Sequence, residues 1–316
     1  MLVNTLINSS SFSQWVKHTP MVTYVLLGMF LAAQFIGLGV VYKYIDPVKS
    51  VEAGETIFKD LPIGERPPMD EQTSFIPIIV AIIVGTGMLL LLLTYHLDWI
   101  WKSWFFVAVA VSLTVAGSAF MWSWLAGIFA VVVGLWKVFR PNFWVQNMTE
   151  LFVYGGLAAI FVPLFSLWSV SILLVLIAIY DAYAVWKSKH MVMLAKAQAE
   201  AKVFAGLLIP YVAGKVVVSS TTIVSHSSGT KKTAKAAVLR TAILGGGDIG
   251  FPLIFAGVVM KELGVWQSLV IPFFALLGLG VLLWFSKEKK FYPAMPFIAA
   301  GCFLGWGMVA VIEILI

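Results

Sequence analysis

Two aspartates of this chain lie inside runs of apolar residues. Asp181 follows the apolar run 172–180, and Asp248 lies between the apolar runs 238–244 and 253–260. A carboxylate in hydrocarbon costs several kcal/mol unless it is protonated, paired or beside water, so such a residue is a functional candidate by default. Most of the other acids lie in loops or near the ends of apolar runs. We therefore expect the chemistry of this protein at Asp181 and Asp248.

The residues around Asp248 predict a weakened helix. Gly245, Gly246 and Gly247 precede the aspartate, and each glycine lowers helix stability by roughly 1 kcal/mol relative to alanine. Pro252, four residues further on, cannot donate a hydrogen bond to the carbonyl of Asp248, which leaves that acceptor free. A loosened backbone of this kind lets water and an extended substrate reach a carboxylate.

The two carboxyls are predicted to lie at a similar depth in the membrane. Asp181 is six residues before Lys187, or about 9 Å along a helix, and Asp248 is eight residues after Arg240, or about 12 Å. Two acids at close range cannot both ionise cheaply, so antiparallel neighbours at this depth would share a proton. An aspartic protease uses that arrangement: one carboxylate activates water, and the protonated partner polarises the carbonyl.

Other chemistries are less well supported by the residue types. The four histidines lie in loops or at the ends of apolar runs, and no H-E-x-x-H occurs, which disfavours a zinc metalloprotease. A serine–histidine dyad is disfavoured for the same lack of a facing histidine. The single Cys302 provides neither a disulfide framework nor a cysteine metal site. No metal or cofactor is expected. A proton- or ion-coupled transporter or channel that uses the two aspartates stays open as the alternative function.

Membrane-spanning helices are the elements that must position the two aspartates. The chain of 316 residues is 61% apolar and 11% charged, which is too apolar for an ordinary soluble domain. The sequence predicts an all-α integral membrane protein, a single domain over 1–316 with nine helices and a long loop at 188–239. The predicted spans are 20–42, 75–95, 104–121, 123–138, 151–166, 168–187, 240–260, 265–286 and 292–315.

The lysines and arginines decide the orientation of the nine predicted spans. Sixteen of them lie on the side of the N-terminus and the long loop, and five lie on the other side. By the positive-inside rule the N-terminus is cytoplasmic and the C-terminus outside. We expect a multi-pass protein of the cell membrane with its active site towards the cytoplasm. Because the lysines are spread over loops, no nucleic acid is expected as a partner, and the sequons at Asn8 and Asn147 are expected inside without sugar.

Three loop segments differ in their predicted character. The outer segment 43–74, with Pro62, Pro67 and Pro68 and mixed charge, is expected to be extended or partly ordered. Within the long loop, the short apolar stretch 203–218 is broken by glycine, proline and lysine, which favours an interfacial or re-entrant segment over a tenth span. The stretch 219–232 is rich in Ser, Thr and Gly and is predicted to be a flexible linker.

Three short motifs resemble those of the presenilin and signal-peptide-peptidase family of intramembrane aspartyl proteases. They are Tyr180-Asp181 on the sixth predicted span, Gly245-Gly246-Gly247-Asp248 as G-x-G-D on the seventh, and Pro293-Ala294-Met295 at the start of the ninth. The resemblance implies a presenilin-like bundle of nine helices in which Asp181 and Asp248 are the catalytic pair. It also implies that Pro293, Ala294 and Met295, with Tyr180 and the three glycines, help to place the substrate.

The resemblance also implies partners, and two positions depart from the family pattern. Substrates would be transmembrane segments of other proteins, or signal peptides, within the lipid bilayer. The short loop between the aspartates is typical of a compact microbial homologue, of archaeal type, that acts without accessory subunits; a homo-oligomer stays open. Met295 stands where the family has leucine, and Gly246 stands where presenilins have leucine. The segment 203–211 resembles the one that presenilins cut in themselves, and whether it is cut here stays open.

Overall fold

The structure is a computed structural model that describes residues 20–95, 97–188, 204–217, 235–286 and 292–315. The first helices are α1 Pro20–Tyr44, α2 Pro47–Ala53, α3 Phe75–Thr94, α4 Asp98–Ser118, α5 Ser123–Phe139, α6 Phe143–Phe161 and α7 Leu167–Tyr183. They are followed by strands β1 Gly206–Val217 and β2 Lys235–Gly245, then by helices α8 Gly246–Glu262, α9 Val265–Ser268, α10 Val270–Phe285 and α11 Met295–Leu315. Short 3-10 and π turns extend α6 and α7.

Seven apolar helical segments in the described part of the chain are long enough to cross a membrane. They are Met21–Tyr44, Phe75–Leu92, Trp99–Ser118, Phe143–Leu164, Leu167–Lys187, Val265–Phe285 and Met295–Leu315. Two further helices, α5 and α8, have 17 residues each and are shorter than these. The prediction of a helical membrane bundle is confirmed.

The third and fifth predicted spans begin too late in the chain. Helix α4 starts at Asp98 instead of 104, and α6 starts at Phe143 instead of 151. Asn142 is the N-cap of α6, and its side chain accepts a hydrogen bond from the backbone N of Trp144 at 3.3 Å. The start of α6 was missed because its first two turns are polar. The structure buries these polar side chains against other parts of the protein.

The seventh predicted span, 240–260, is wrong in its first six residues. Residues 240–245 belong to β2, and helix α8 begins only at Gly246. A short apolar run can form a buried strand as well as a helix, and periodicity alone does not separate the two. The partner strand β1, distant in sequence, decides the outcome here.

Strands β1 and β2 form an antiparallel pair, which is a departure from the predicted all-α class. Gly206 lies opposite Gly245, and Ile209 lies opposite Ala242. Alternate side chains are buried, those of Leu207, Ile209 and Tyr211 in β1 and those of Ala242 and Leu244 in β2. One face of the pair therefore packs on the helices. Within the stretch predicted to be interfacial or re-entrant, residues 206–217 form strand β1. Residues 203 and 218 and the predicted linker 219–232 lie outside the described residues.

Helix α8 occupies the centre of the bundle. It packs against α1, α6, α7, α10 and α11, and it is buried almost continuously from Pro252 to Met260. Helix α3 is the opposite case, since only 6% of its span is buried. The helix that carries Asp248 is therefore surrounded by protein, while α3 presents apolar side chains outwards.

The segment between α1 and α3 is ordered against one end of the bundle. It contains the short helix α2, which was not predicted and whose first N–H groups are capped by the side chain of Asp46. The hydroxyl of Thr56 donates to the carbonyl of Lys261 at 2.7 Å, and the Lys261 ammonium pairs with Glu71. These contacts tie the segment to the end of α8 that is remote from Asp248.

Candidate active site

Asp181 lies close to the end of α7. The start of this helix is fixed by a capping box in which the hydroxyl of Ser166 accepts a hydrogen bond from the backbone N of Ser169. Near the other end, Oδ2 of Asp181 accepts a hydrogen bond from the backbone N of Met295 at 3.1 Å. This bond joins α7 to the first residue of α11, more than a hundred positions later in the chain.

The Pro293-Ala294-Met295 motif therefore lies beside Asp181. Pro293 and Met295 are buried, and Ala294 is partly buried. The carbonyl of Ala294 accepts hydrogen bonds from the backbone N of residues 297 and 298, at 3.2 and 3.1 Å, and so begins α11. The first N–H groups of a helix have no partner within it, which leaves the N–H of Met295 free to donate to the carboxylate.

Asp248 lies in the first turn of α8, directly after β2. Gly245, the last residue before the helix, has an extended backbone with φ −64° and ψ 147°. A methyl group added at Gly245 would lie 3.2 Å from Oδ2 of Asp248, so the carboxyl folds back over the junction of strand and helix. Helix α7 packs against α8, so the helices that carry Asp181 and Asp248 are direct neighbours.

The glycines before Asp248 have different surroundings. A methyl group at Gly246 would lie 2.6 Å from the hydroxyl oxygen of Tyr154 and 3.0 Å from its ring, so the tyrosine occupies the space of a side chain. At Gly247, which is exposed, the nearest atom would be a ring carbon of Phe251 at 3.5 Å, an ordinary contact distance. The structure therefore gives a steric reason for glycine at 246 and none at 247.

Gln34 is a residue near this site that the sequence analysis missed. It lies on α1 with no exposed surface, and its Nε2 donates to the carbonyl of Ile249 at 2.9 Å. Pro252, inside α8, disturbs the hydrogen bonding of the turn before it. Gln34 thus supplies a donor from a neighbouring helix to this weakened turn. The sequence did contain a signal for this residue, because Gln34 is the single side-chain amide within the first apolar run.

Tyr180 lies on the exposed face of α7. The side chain is 47% exposed, so this tyrosine is not packed in the interior of the bundle. The neighbouring aromatic residue on the same helix, Tyr183, is 57% exposed. Both rings border the open side of the helix that carries Asp181.

Two side chains of α6 were also missed as parts of this region. Asn147, noted in the sequence only as a sequon, is 1% exposed and hydrogen-bonded to Leu208 of β1. Gln146, its neighbour, bonds to the carbonyls of Phe204 and Gly206. A buried Asn is not accessible as a glycosylation acceptor. The polar start of α6 was the available signal, and it was interpreted as a loop.

Metal-ligating residues do not cluster in the described ranges, where no group of three or more His, Cys, Asp or Glu side chains could hold an ion. The residues described above provide carboxyl groups, backbone amides and a loosened helix start. Hydrolysis with carboxyl groups as general acid and base is the chemistry that such a set of groups can perform.

Comparison with solved structures shows that this fold has been seen before. Two structures of a presenilin family intramembrane aspartate protease, in space groups C222 and P2, have the same fold. Their TM-scores are 0.57 and 0.58 at 19% sequence identity, over 92% and 93% of this chain and 99% of theirs. No curated protein sequence matches the chain.

The family follows from the sequence itself. Residues 58–315 match the family described as signal-peptide peptidase, presenilin aspartyl protease. The match covers most of the chain, so this protein belongs to that family and is an aspartic intramembrane protease. The resemblance drawn from three short motifs is confirmed.

Proposed function

We propose that the chain hydrolyses peptide bonds within or near transmembrane segments of other proteins, or of signal peptides, with Asp181 and Asp248 as its catalytic pair. One observation carries this proposal. Asp181 accepts a hydrogen bond from Met295, and the helix of Asp181 packs against the helix of Asp248. Three segments from distant parts of the chain thus meet at the helices that carry the two carboxyls, which supports the proposal.

The proposed mechanism is general acid–base hydrolysis by the pair. One carboxylate takes a proton from a water molecule as the water oxygen attacks the peptide carbonyl carbon. The other carboxyl, protonated, donates a hydrogen bond to the carbonyl oxygen as negative charge develops there. Proton transfer to the amide nitrogen then lets the C–N bond break. The helix arrangement lowers the barrier further by holding both carboxyls and the substrate in position.

A transmembrane substrate must unwind before its carbonyl can be attacked, because each helical carbonyl is engaged with an N–H four residues on. We propose that the substrate docks laterally and unwinds near Pro293, Ala294 and Met295, the segment beside Asp181. Strand β2 supports this proposal. Among the described residues it is paired only with β1, so the other edge of β2 can pair with an extended chain. The side chain of Tyr180 and the backbone at Gly245–Gly247 would border that chain.

The topology belongs to the same proposal. If α5 and α8 also cross the bilayer, the single domain 1–316 has nine crossings, with the N-terminus in the cytoplasm, the C-terminus outside and the active site towards the cytoplasm of the cell membrane. This arrangement keeps sixteen of the 21 lysines and arginines inside. No accessory subunit is required in this proposal. Alkaline phosphatase fused after residue 316 should be active, and green fluorescent protein fused there should be dark.

Purified protein in detergent, mixed with a transmembrane peptide, tests the catalytic pair. Mass spectrometry should detect two products with wild type and none with Asp181→Asn or Asp248→Asn, which keep the side-chain shape and remove the acid. Glu52→Gln, at an exposed acid on α2, is the matched control and should cleave like wild type. The thermal unfolding temperature of each variant should match wild type.

The outcome also separates hydrolysis from transport. Full cleavage by either asparagine variant would remove that residue from the catalytic pair. Intact peptide under all conditions, together with Asp181-dependent ion or proton flux into liposomes, would replace the proposed function by the transport alternative.

A further inference from the structure

The first two turns of α6 bury a row of polar side chains. Gln146, Asn147, Thr149 and Glu150 are between 1% and 6% exposed. Buried polar groups in proteins are hydrogen-bonded almost without exception, so the partners of such a row indicate its role. Thr149 bonds only within its own helix in the contacts that the structure gives, to the carbonyls of residues 145 and 146. The other three reach outside their helix.

Asn147 binds the outer edge of β1 as a neighbouring strand would. Its Nδ2 donates to the carbonyl of Leu208 at 2.8 Å, and its Oδ1 accepts from the backbone N of Leu208 at 2.9 Å. A residue in an antiparallel sheet exchanges the same two bonds with the residue opposite. One side-chain amide therefore holds β1 on the side that faces away from β2.

Gln146 binds the chain just before that point. Its Nε2 donates to the carbonyls of Phe204, at 2.8 Å, and Gly206, at 3.0 Å, and also to Oε1 of Glu150 at 3.0 Å. All three partners accept hydrogen bonds, which fixes the orientation of the amide. Glu150 is paired in turn with the buried ammonium of Lys137.

The segment held by Gln146 leads directly to Asp248. Gly206 is the partner of Gly245 in the β-pair, and the carbonyl of Ala205 accepts a hydrogen bond from the backbone N of Gly246 at 3.1 Å. Gly246 is the first residue of α8, and Asp248 lies in its first turn. Backbone hydrogen bonds thus connect the α6 amides to the start of the helix that carries the carboxyl.

We propose that Gln146 and Asn147 are positioning residues for Asp248: they hold residues 204–208 at the start of β1, and this segment holds the point where α8 begins. The catalytic part of this inference rests on the proposed function, because it assumes that Asp248 is a catalytic carboxyl. The anchoring of the start of α8 by these two amides does not depend on the proposed function. Loss of either amide leaves carbonyl groups of the strand without their partners and frees the start of α8 to shift.

Gln146→Met and Asn147→Leu remove the amides and keep similar side-chain volumes, and Thr149→Val is the matched control. Thr149→Val also removes a buried polar group from the same turns of α6, without touching the strand. Hydrogen exchange is measured by mass spectrometry on peptides covering 204–209 and 244–249, together with kcat and KM on a transmembrane peptide. The first two variants should raise exchange in both peptides about tenfold, the factor expected for loss of one such hydrogen bond. They should also lower kcat by about tenfold to hundredfold with KM nearly unchanged.

Three results would overturn the inference. Unchanged exchange at 244–249 in both amide variants would show that the α6 amides do not hold the start of α8. Equal effects of Thr149→Val would show a general weakening of α6. Faster exchange with unchanged kcat would show that the anchored position does not matter to the reaction. If wild type cleaves no peptide, the proposed function fails, and the exchange comparison still decides whether the α6 amides anchor α8.

Discussion

The two helices that carry the aspartates are supported in opposite ways. Helix α8, with Asp248, has 10 buried residues of 17, whereas α7, of equal length, has 5. Protein therefore surrounds α8, while α7 keeps an exposed face of apolar and aromatic side chains. That face consists of Val175, Leu176, Ile179, Tyr180 and Tyr183.

The connections of the two carboxyls differ in the same sense. Asp248 follows a strand whose partner, β1, is hydrogen-bonded to α6 at two carbonyls and one N–H, and the carbonyl of Phe204 just before β1 is bonded to α6 as well. Asp181 is instead bonded to the backbone at the start of α11, where the N–H of Met295 donates to it. We infer that α6, the β-pair and α8, which support Asp248, form a rigid half of the site. Helix α7, which carries Asp181, and the start of α11 form an adjustable half. The free face of α7 is where a helix from the bilayer can approach without displacing protein.

The largest expected effect comes from breaking the ion pair that braces the rigid half. Lys137 and Glu150 have 1% and 2% of their side-chain surface exposed, so removal of one partner leaves a buried charge unpaired. Lys137→Met should lower the free energy of unfolding by about 3–5 kcal/mol. The measurement is denaturant unfolding in detergent micelles.

Two control variants accompany Lys137→Met. The double variant Lys137→Met, Glu150→Leu removes both charges and should recover most of the lost stability. Glu71→Gln breaks the ion pair with Lys261 at the other end of α8, where Glu71 is 47% exposed, and should cost no more than about 1 kcal/mol. A fully stable Lys137→Met protein would contradict the view that this half is rigidly braced.

The second expected effect tests the contact between Tyr154 and the start of α8. A methyl group at Gly246 would overlap the buried hydroxyl of Tyr154, so Gly246→Ala must push the tyrosine or the helix start aside. We expect kcat to fall by about hundredfold, the cost of a displacement near 1 Å at a catalytic group. The measurement is steady-state cleavage of a transmembrane peptide.

Gly247→Ala provides the matched comparison for Gly246→Ala. Its methyl group would meet only a ring carbon of Phe251 at 3.5 Å, so kcat should stay within about threefold of wild type. Equal losses in the two variants would mean that flexibility of the glycine run, and not the Tyr154 contact, is what the reaction needs.

The third expected effect concerns the adjustable half, where the backbone N–H of Met295 donates to Asp181. Met295 is the first residue of α11, and proline is tolerated at that position because its N–H has no partner within the helix. Met295→Pro therefore removes the donor to Asp181 while α11 stays intact. A fall in kcat of about tenfold is expected for one hydrogen bond to a charged group. Met295→Ala loses the same buried side chain but keeps the N–H, and it should retain more activity than Met295→Pro.

The sequence predicted the adjustable half better than the rigid half. The bounds of α7 and α11 follow from apolar runs that end in charged or proline-containing segments, and these helices keep exposed apolar side chains on one side. Composition is informative for such helices because the bilayer is their partner. Asp181 and Asp248 were likewise visible as charges within apolar runs.

The elements of the rigid half could not be predicted from hydropathy, because they pair with other parts of the chain. Gln146 and Asn147 look like loop residues until β1 is present to accept and donate their hydrogen bonds. The apolar residues 240–245 look like the start of a span until β1 pairs with them. Hydropathy reports the preference of each segment for water or lipid, and it does not report pairing between segments distant in sequence.

The smallest expected effect concerns Tyr180, which lies next to Asp181 on the free face of α7. Its side chain is 47% exposed, so its contribution should come from contact between the ring and the substrate. Tyr180→Phe should change kcat/KM by no more than about twofold, as for other exposed positions. Tyr180→Ala should raise KM by about tenfold through loss of ring contact. Tyr183→Phe, on the same face, is the control. A large fall in kcat for Tyr180→Phe alone would give the hydroxyl a role beside Asp181 and show that the adjustable half depends on a side-chain contact as well as on the backbone of α11.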